Sequence, residues 1–253
     1  MKKKSAISLI SYDAAYLPES ISRYYNYVDE IVLGLDKNRK TWSGNAFSFD
    51  ENKLWADLSA IDGDSKISII EEDFVKSKIA IENDNYERNF LKAQCTNDWV
   101  FSIDADEYLV NPKDFFYNYC PLVERYYNKV DICMTWATPY KTIDDTTLVI
   151  ANEDGTPFFG ENQGMTTSKD STFTYARWTD KSAAGANRVT SPLIALHWSL
   201  CRERADLHQK INNIGHSDIV ENDPFYQIWD QVTMIKRIIF NQIRMSYIIN
   251  LLM

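Results

Sequence analysis

The chain has few residues of the kind that staple or ligate: four cysteines and three histidines in 253 residues. Cysteines 95, 120, 133 and 201 form no C-x-x-C pair and no dense framework. They predict reduced thiols of a cytoplasmic protein and no zinc site. Neither G-x-x-x-x-G-K nor G-x-G-x-x-G occurs, which removes the commoner nucleotide-binding readings. Basic charge is in deficit: 27 Lys and Arg against 36 Asp and Glu leave a net charge of −9. That disfavours a nucleic-acid binder, which needs clustered cations on phosphate, and leaves acidic groups to hold metal instead. Met1-Lys2-Lys3-Lys4 opens like a signal peptide, but Asp13 interrupts the apolar stretch and no small-residue cleavage site follows. A first strand is expected there.

What is present is enough apolar residue, 45%, to bury a full core. One large domain, or a domain with an appended element, is expected. The most telling stretch is Asn97-Asp98-Trp99-Val100-Phe101-Ser102-Ile103-Asp104-Ala105-Asp106-Glu107. Residues 99–103 are short, β-branched and aromatic, which predicts a strand that ends in three acids. Side chains at i and i+2 of a strand share a face, so Asp104 and Asp106 are expected to converge on one hard cation. Glu107 then faces the other way, with a structural salt bridge as eligible a role as an active-site one.

Upstream, strand and helix patterns alternate, predicting an α/β fold with a mostly parallel sheet flanked by helices. Strands are expected at residues 6–11, 30–35, 66–70 and 99–103, with helices at 17–27 and 84–95, in the order β-α-β-β-α-β. Residues 37–48 lack periodicity and predict a ligand-binding loop above the strand ends.

These residues resemble the GT-A type nucleotide-diphospho-sugar glycosyltransferases, nearest in flavour to the family 2 enzymes. The likeness covers roughly the first 115 residues. It rests on Ser11-Tyr12 after strand one, Asp36 after strand two, and Glu87-Arg88-Asn89-Phe90-Leu91-Lys92-Ala93 at the family's spacing before the Asp-x-Asp strand. The resemblance implies a Rossmann-like GT-A domain over residues 1–220, with a nucleotide-binding half at 1–110 and an acceptor and metal-completing half at 111–220. It implies that Asp36 accepts from the nucleotide base, Tyr12 lies beside that base, and Arg88 approaches the nucleotide or its phosphates. Asp104 would face the ribose or a metal-bound water, and Asp106 would ligate Mn²⁺ or Mg²⁺ directly, neutralising the departing diphosphate.

A second region, Leu193-Ile194-Ala195-Leu196-His197-Trp198, reads as a strand followed by a helix carrying Arg202, Arg204, His208 and Lys210. By resemblance His197 is a third metal ligand; by its apolar setting it is equally a core histidine. Arg202 and Lys210 either steady the diphosphate or lie on a solvated helix face. Residues 115–127 predict an aromatic helix that packs in the core, and residues 130–136 a further strand. Residues 137–190 read as hairpins and loops, where Glu153, Asp154, Asp170 and Asp180 are eligible acceptor bases. Residues 221–253 carry Ile228, Val232, Ile235, Ile239, Ile243 and Tyr247 at helical spacing with Lys236, Arg237 and Arg244. This predicts an amphipathic helix for packing, self-association or peripheral membrane contact, and not a span, since charges interrupt each window of about twenty residues.

The expected activity is transfer of a sugar from a nucleotide donor to a hydroxyl of a glycan or lipid-linked acceptor in surface polysaccharide synthesis. An aspartate-nucleophile phosphohydrolase using Asp104 and Asp106 ranks below it, because that family places its motif after the first strand and usually follows it with Thr. An EF-hand beginning at Asp104 would need Gly where Leu109 stands. A non-catalytic nucleotide-sugar-binding protein is the third class.

Overall fold

The computed structural model describes residues 2–127, 130–152, 156, 158–180, 187–213 and 228–232. Its first half runs β1 (Lys4–Ile10), α1 (Leu17–Tyr24), β2 (Glu30–Asp36), α2 (Glu51–Ile61), β3 (Ile67–Glu72), α3 (Ala80–Gln94), β4 (Trp99–Ser102) and β5 (Glu107–Leu109). The second half follows with α4 (Cys120–Tyr126), β6 (Asp131–Ala137), a hairpin of β7 (Pro139–Ile143) and β8 (Thr146–Val149), and β9 (Phe159–Ser168). A short hairpin of β10 (Phe173–Tyr175) and β11 (Trp178–Thr179) leads to β12 (Arg188–His197) and α5 (Arg204–Asn213).

The main sheet has eight strands in the order β3-β2-β1-β4-β9-β6-β12-β5. Strands β9 and β5 run against the others, so the sheet is mixed and mostly parallel, in the α/β class expected from sequence. From β1 the chain proceeds outward to β2 and β3 and then returns to place β4 on the other side of β1. Such a reversal leaves a crevice at the carboxyl ends of the two strands, which is where open α/β sheets take ligands. Here those ends carry Ser11-Tyr12-Asp13 and Asp104-Ala105-Asp106.

β1 is buried along its whole length, so its polar residues need partners inside the protein. Lys4 pairs with Glu124 at 2.8 Å, and Ser8 Oγ donates to the Ile103 carbonyl at 2.7 Å, fixing the end of β4. The main core lies beneath α1 and α4, where Phe101 sits edge-on to Tyr24 at 5.3 Å and to Phe116 at 5.1 Å. The expected aromatic helix therefore divides its residues: Phe115 and Phe116 are buried, whereas Tyr117, Tyr126 and Tyr127 are exposed.

Three expectations are corrected. A helix, α2, separates β2 from β3; only Leu54 and Leu58 of it are buried, too few for a clear apolar stripe, although Asp50 caps it by accepting from Lys53 N at 2.9 Å. Asp104 and Asp106 lie in the turn after β4, not on a strand, so alternation does not govern their direction. Residues 137–190 hold the hairpins expected but also β9, a ten-residue strand in the middle of the sheet. β9 is polar, and two of its buried hydroxyls are bonded internally, Thr167 donating to Asp131 and Ser168 to Asp170. Its sequence therefore lacks the apolar signature of a central strand.

Of the amphipathic segment expected at 221–253, only residues 228–232 are described, and Trp229–Gln231 form a single tight turn there. Ile228, Trp229 and Val232 are buried, Trp229 and Val232 together with Tyr140 and Leu200. Among the described residues no helix is long and apolar enough to cross a membrane. Phe101→Ala, which empties the centre of the aromatic cluster beneath β4, is expected to cost about 3–5 kcal/mol. Urea unfolding of the variant against wild type measures that loss.

Candidate active site

A cleft of about 300 Å³ opens at the β1/β4 reversal, and Tyr12, Asp36, Arg88, Asp104, Asp106 and His197 all line it. Residues as distant in the chain as Tyr12 and His197 thus share one wall. The sequence did not single out four other lining residues: Asp13, Trp42, Asp84 and Trp136. Their only sequence signals are position, since Asp13 follows the β1 end and Asp84 stands one helical turn before Arg88.

The turn that carries the acids is fixed from below and from the side. Ser20 of α1 donates to the Glu107 carbonyl at 2.8 Å, and Glu107 Oε2 accepts from Asp104 N at 3.0 Å. The antiparallel pairing of β5 with β12 sets His197 opposite Glu107, which brings its imidazole beside Asp106.

Each acid of the turn meets basic groups from other elements. Arg88 of α3 donates through Nη2 to Asp104 Oδ1 at 2.8 Å, with Nε on Asp84 and Nη1 on Ser102. Glu107 and Arg177 form a fully buried bidentate pair. Glu107 is thus a structural salt-bridge residue. Asp106 Oδ2 accepts from both Arg202 and Lys210, the latter at 2.8 Å. Burial opposes ionisation of Asp106, but Lys210 and Arg202 outweigh it and hold the carboxyl well below the usual carboxylate range. For Asp104 burial is likewise outweighed, by Arg88 and Arg177.

Two polar atoms in this wall are left over. Asp106 Oδ1 and Trp136 Nε1 are buried and make no hydrogen bond. His197 stacks on Trp136 with centroids 4.0 Å apart and holds Nε2 3.9 Å from Asp106 Oδ2. Burial pushes the imidazole down to about 4 despite the attraction of Asp106, so it is neutral at physiological pH and able to ligate.

Other expected residues fall differently. Arg202 does not line the cleft: its side chain is wholly buried behind Asp106, donating to Asp206, Asp13 and the Trp198 carbonyl. It is a clamp on Asp106 and cannot touch a cleft ligand, whereas Lys210, on α5, does line the wall. Asp36 serves the backbone, with Oδ1 accepting from Asn38 N and Lys40 N and Oδ2 from Phe74 N. Asp170 and Asp180 are exposed and lie off the cleft wall, where they accept from Ser168 and Thr172 N. Neither is placed to act on a cleft-bound acceptor; Glu153 and Asp154 lie outside the described residues. His208 is exposed, as expected.

Among the described residues no cluster of three or more His, Cys, Asp or Glu is placed to hold a metal. The donor set that does fit a divalent cation is smaller: the unpartnered Oδ1 of Asp106 and the neutral His197 ring. Mg²⁺ and its analogues are commonly held by one or two protein groups, with substrate phosphates and water filling the remaining positions.

No family model and no curated protein sequence matches the chain. Several solved structures overlay on parts of it. TarS residues 1–349 of S. aureus is 10% identical over 54% of this chain, with a TM-score of 0.37, and the overlay spans only 36% of that structure. The 4-diphosphocytidyl-2C-methyl-D-erythritol synthase of Anaerococcus prevotii is 14% identical over 87% of this chain and 97% of its own, with a TM-score of 0.41. CMP:2-keto-3-deoxy-manno-octonic acid synthetase complexed with CTP is 10% identical over 83% of this chain and 96% of its own, with a TM-score of 0.43. Overlaps this loose define neither a family nor an activity. The α/β class stands on the sheet order itself.

Two outcomes are expected from the buried charges. Arg177→Met strands Glu107 in the interior and should cost about 3–5 kcal/mol in denaturant unfolding, with Arg177→Met/Glu107→Leu recovering part of the loss. Burial raises Glu87 from an ordinary carboxyl value to about 8, against the Trp42 indole that bonds it. A folded-state value above the unfolded one stabilises fully below the unfolded pKa and is lost as pH rises through the folded one. Wild type should therefore lose stability relative to Glu87→Gln between about pH 4.5 and about pH 8.

Proposed function

We propose that this protein is a glycosyltransferase that takes a sugar from a nucleoside diphosphate donor and passes it to a hydroxyl acceptor, of which a glycan or lipid-linked glycan in surface polysaccharide synthesis is the class the resemblance implies. The observation that carries the reading is Asp106. A buried carboxylate oxygen without a partner is costly, and this one belongs to a residue that lines the cleft at the sheet's reversal and whose other oxygen lies by a neutral imidazole and the Lys210 ammonium. A phosphate-bearing ligand with a divalent cation, Mn²⁺ or Mg²⁺, satisfies all three.

In this reading Asp106 and His197 hold the cation, and when bound it supplies charge stabilisation for the leaving diphosphate. Lys210 faces the same phosphates and shares that task. Arg88 holds Asp104 in place, and Asp104, the most open carboxylate of the turn with 29% of its side chain exposed, is left to meet the donor's ribose or sugar hydroxyls. Arg202 keeps Asp106 aimed and ionised without touching the donor.

The phosphohydrolase alternative asks Asp106 to be a proton donor. Lys210 and Arg202 hold it ionised, which is the wrong state for that role. A binding protein without turnover would use the same contacts, so binding and transfer need separate measurement.

The test is thermal unfolding with UDP, GDP, CDP or ADP, each with and without Mn²⁺. A ligand at about a hundred times its Kd stabilises by about 2.7 kcal/mol, a rise of roughly 5–10 °C for a chain of this size. One nucleotide is expected to give that rise with Mn²⁺ and less without it. Asp106→Asn should erase the difference made by Mn²⁺, read against the variant's own ligand-free midpoint, which falls because Arg202 and Lys210 lose their buried partner. No shift with any nucleotide would refute the reading.

A further inference from the structure

We infer that Glu87 reads the nucleotide base, donating a hydrogen bond from its carboxyl to a base carbonyl, so that the donor carries uracil or guanine and not cytosine or adenine. This rests on the nucleotide-donor reading above and adds to it the group that chooses the base.

Two groups of side chains lining the cleft differ in charge. Around Lys210 stand Asp13, Asp106, Arg202 and Tyr12, a cationic and acidic network suited to phosphate. Around Glu87 stand Asp84 and Arg88 on its own helix, Asp36 at the end of β2, and the uncharged Trp42 from the 37–48 loop. Phosphates belong with Lys210, which leaves the uncharged base to the group formed by Trp42 and Glu87.

Glu87 is only 5% exposed and has no ion-pair partner. The cation that acts on it among the described residues, Arg88, spends its N–H groups on Asp84, Ser102 and Asp104, and its guanidinium lies 5.5 Å from the Trp42 ring centre. Oε2 accepts from Trp42 Nε1 at 2.7 Å; Oε1 makes no hydrogen bond and rests over Gly34, 2.7 Å from where a Cβ would stand. Gly34 thus leaves room in β2 for this carboxyl. A buried carboxyl with one donor and no cation keeps its proton, in agreement with its elevation to about 8. With Oε2 already accepting, the proton on Oε1 is free to be given away.

A protonated carboxyl donates where uracil O4 or guanine O6 accepts; cytosine N4 and adenine N6 present donors to the same place. Two opposed donors leave buried groups unsatisfied, a discrimination of roughly tenfold or more. Asp36 was the base reader implied by resemblance, but its oxygens are committed to the backbone. The neighbouring acid on α3 is the one with an atom to spare.

Isothermal titration with Mn²⁺ at about pH 7 and about pH 9 tests this, comparing UDP with CDP and GDP with ADP in wild type and Glu87→Gln. In wild type at the lower pH, UDP should bind at least tenfold more tightly than CDP, or GDP than ADP, and that preference should fall at the higher pH. Glu87→Gln, which offers a donor or an acceptor at any pH, should keep the carbonyl base's affinity without the pH dependence and narrow the preference severalfold. A variant with the wild-type preference and the wild-type pH profile would overturn the role of Glu87 alone. Binding of no nucleotide to wild type would overturn the donor reading and this inference together.

Discussion

The structure turns on how three acids of one turn are each held against basic partners. Asp104, Ala105, Asp106 and Glu107 form one turn, and every carboxylate in it has a basic partner from elsewhere in the chain. Asp104 takes Arg88, 16 residues away; Glu107 takes Arg177, 70 away; Asp106 takes Arg202 and Lys210, 96 and 104 away. Removing water from an unpaired carboxylate costs several kcal/mol, so the turn cannot exist in this form until α3, the β10–β11 hairpin and α5 have arrived. The acids are therefore the point where the two halves of the sheet are tied together.

That dependence separates what could be read from sequence from what could not. The acids were legible because their signal is local: a short apolar strand running into Asp-x-Asp-Glu. The α/β class and strands β1, β2, β4 and β12 were legible for the same reason, since each is a compact β-branched or aliphatic run. Arg177 was not, because nothing in Tyr175-Ala176-Arg177-Trp178 announces a side chain that pairs with Glu107, 70 residues earlier. β9 was lost because, Met165 apart, its buried positions are Gln163, Thr166, Thr167 and Ser168, which pattern rules read as loop. Polar residues satisfied by one another across a sheet carry no periodic signature.

The same logic explains the exchange of roles between predicted and observed residues. Arg202 and Lys210 look alike in sequence as basic residues on or beside the helix that follows His197. Arg202 precedes α5 and turns inward, where its guanidinium spans Asp13, Asp106 and Asp206 at once. A planar fork with five donors suits that bridging, whereas the ammonium of Lys210 makes a single contact with Asp106 and remains on the cleft wall. Arginine acts as scaffold and lysine as the group that can turn to a ligand.

Asp106 completes the argument. Its Oδ2 bears two cations and its Oδ1 none, an asymmetry that a merely structural ion pair does not require. Arc-like replacement of such a network by apolar groups is often neutral or stabilising, so stability alone gives no reason to keep a half-satisfied carboxylate at the floor of a cleft. A ligand that arrives with its own charge supplies one. Under the proposed function, Lys210 would meet the phosphates, Asp106 and His197 would hold the cation, and Arg202 would keep Asp106 from swinging. The unpartnered oxygen would then contribute to binding, held in place by a clamp that never meets the substrate.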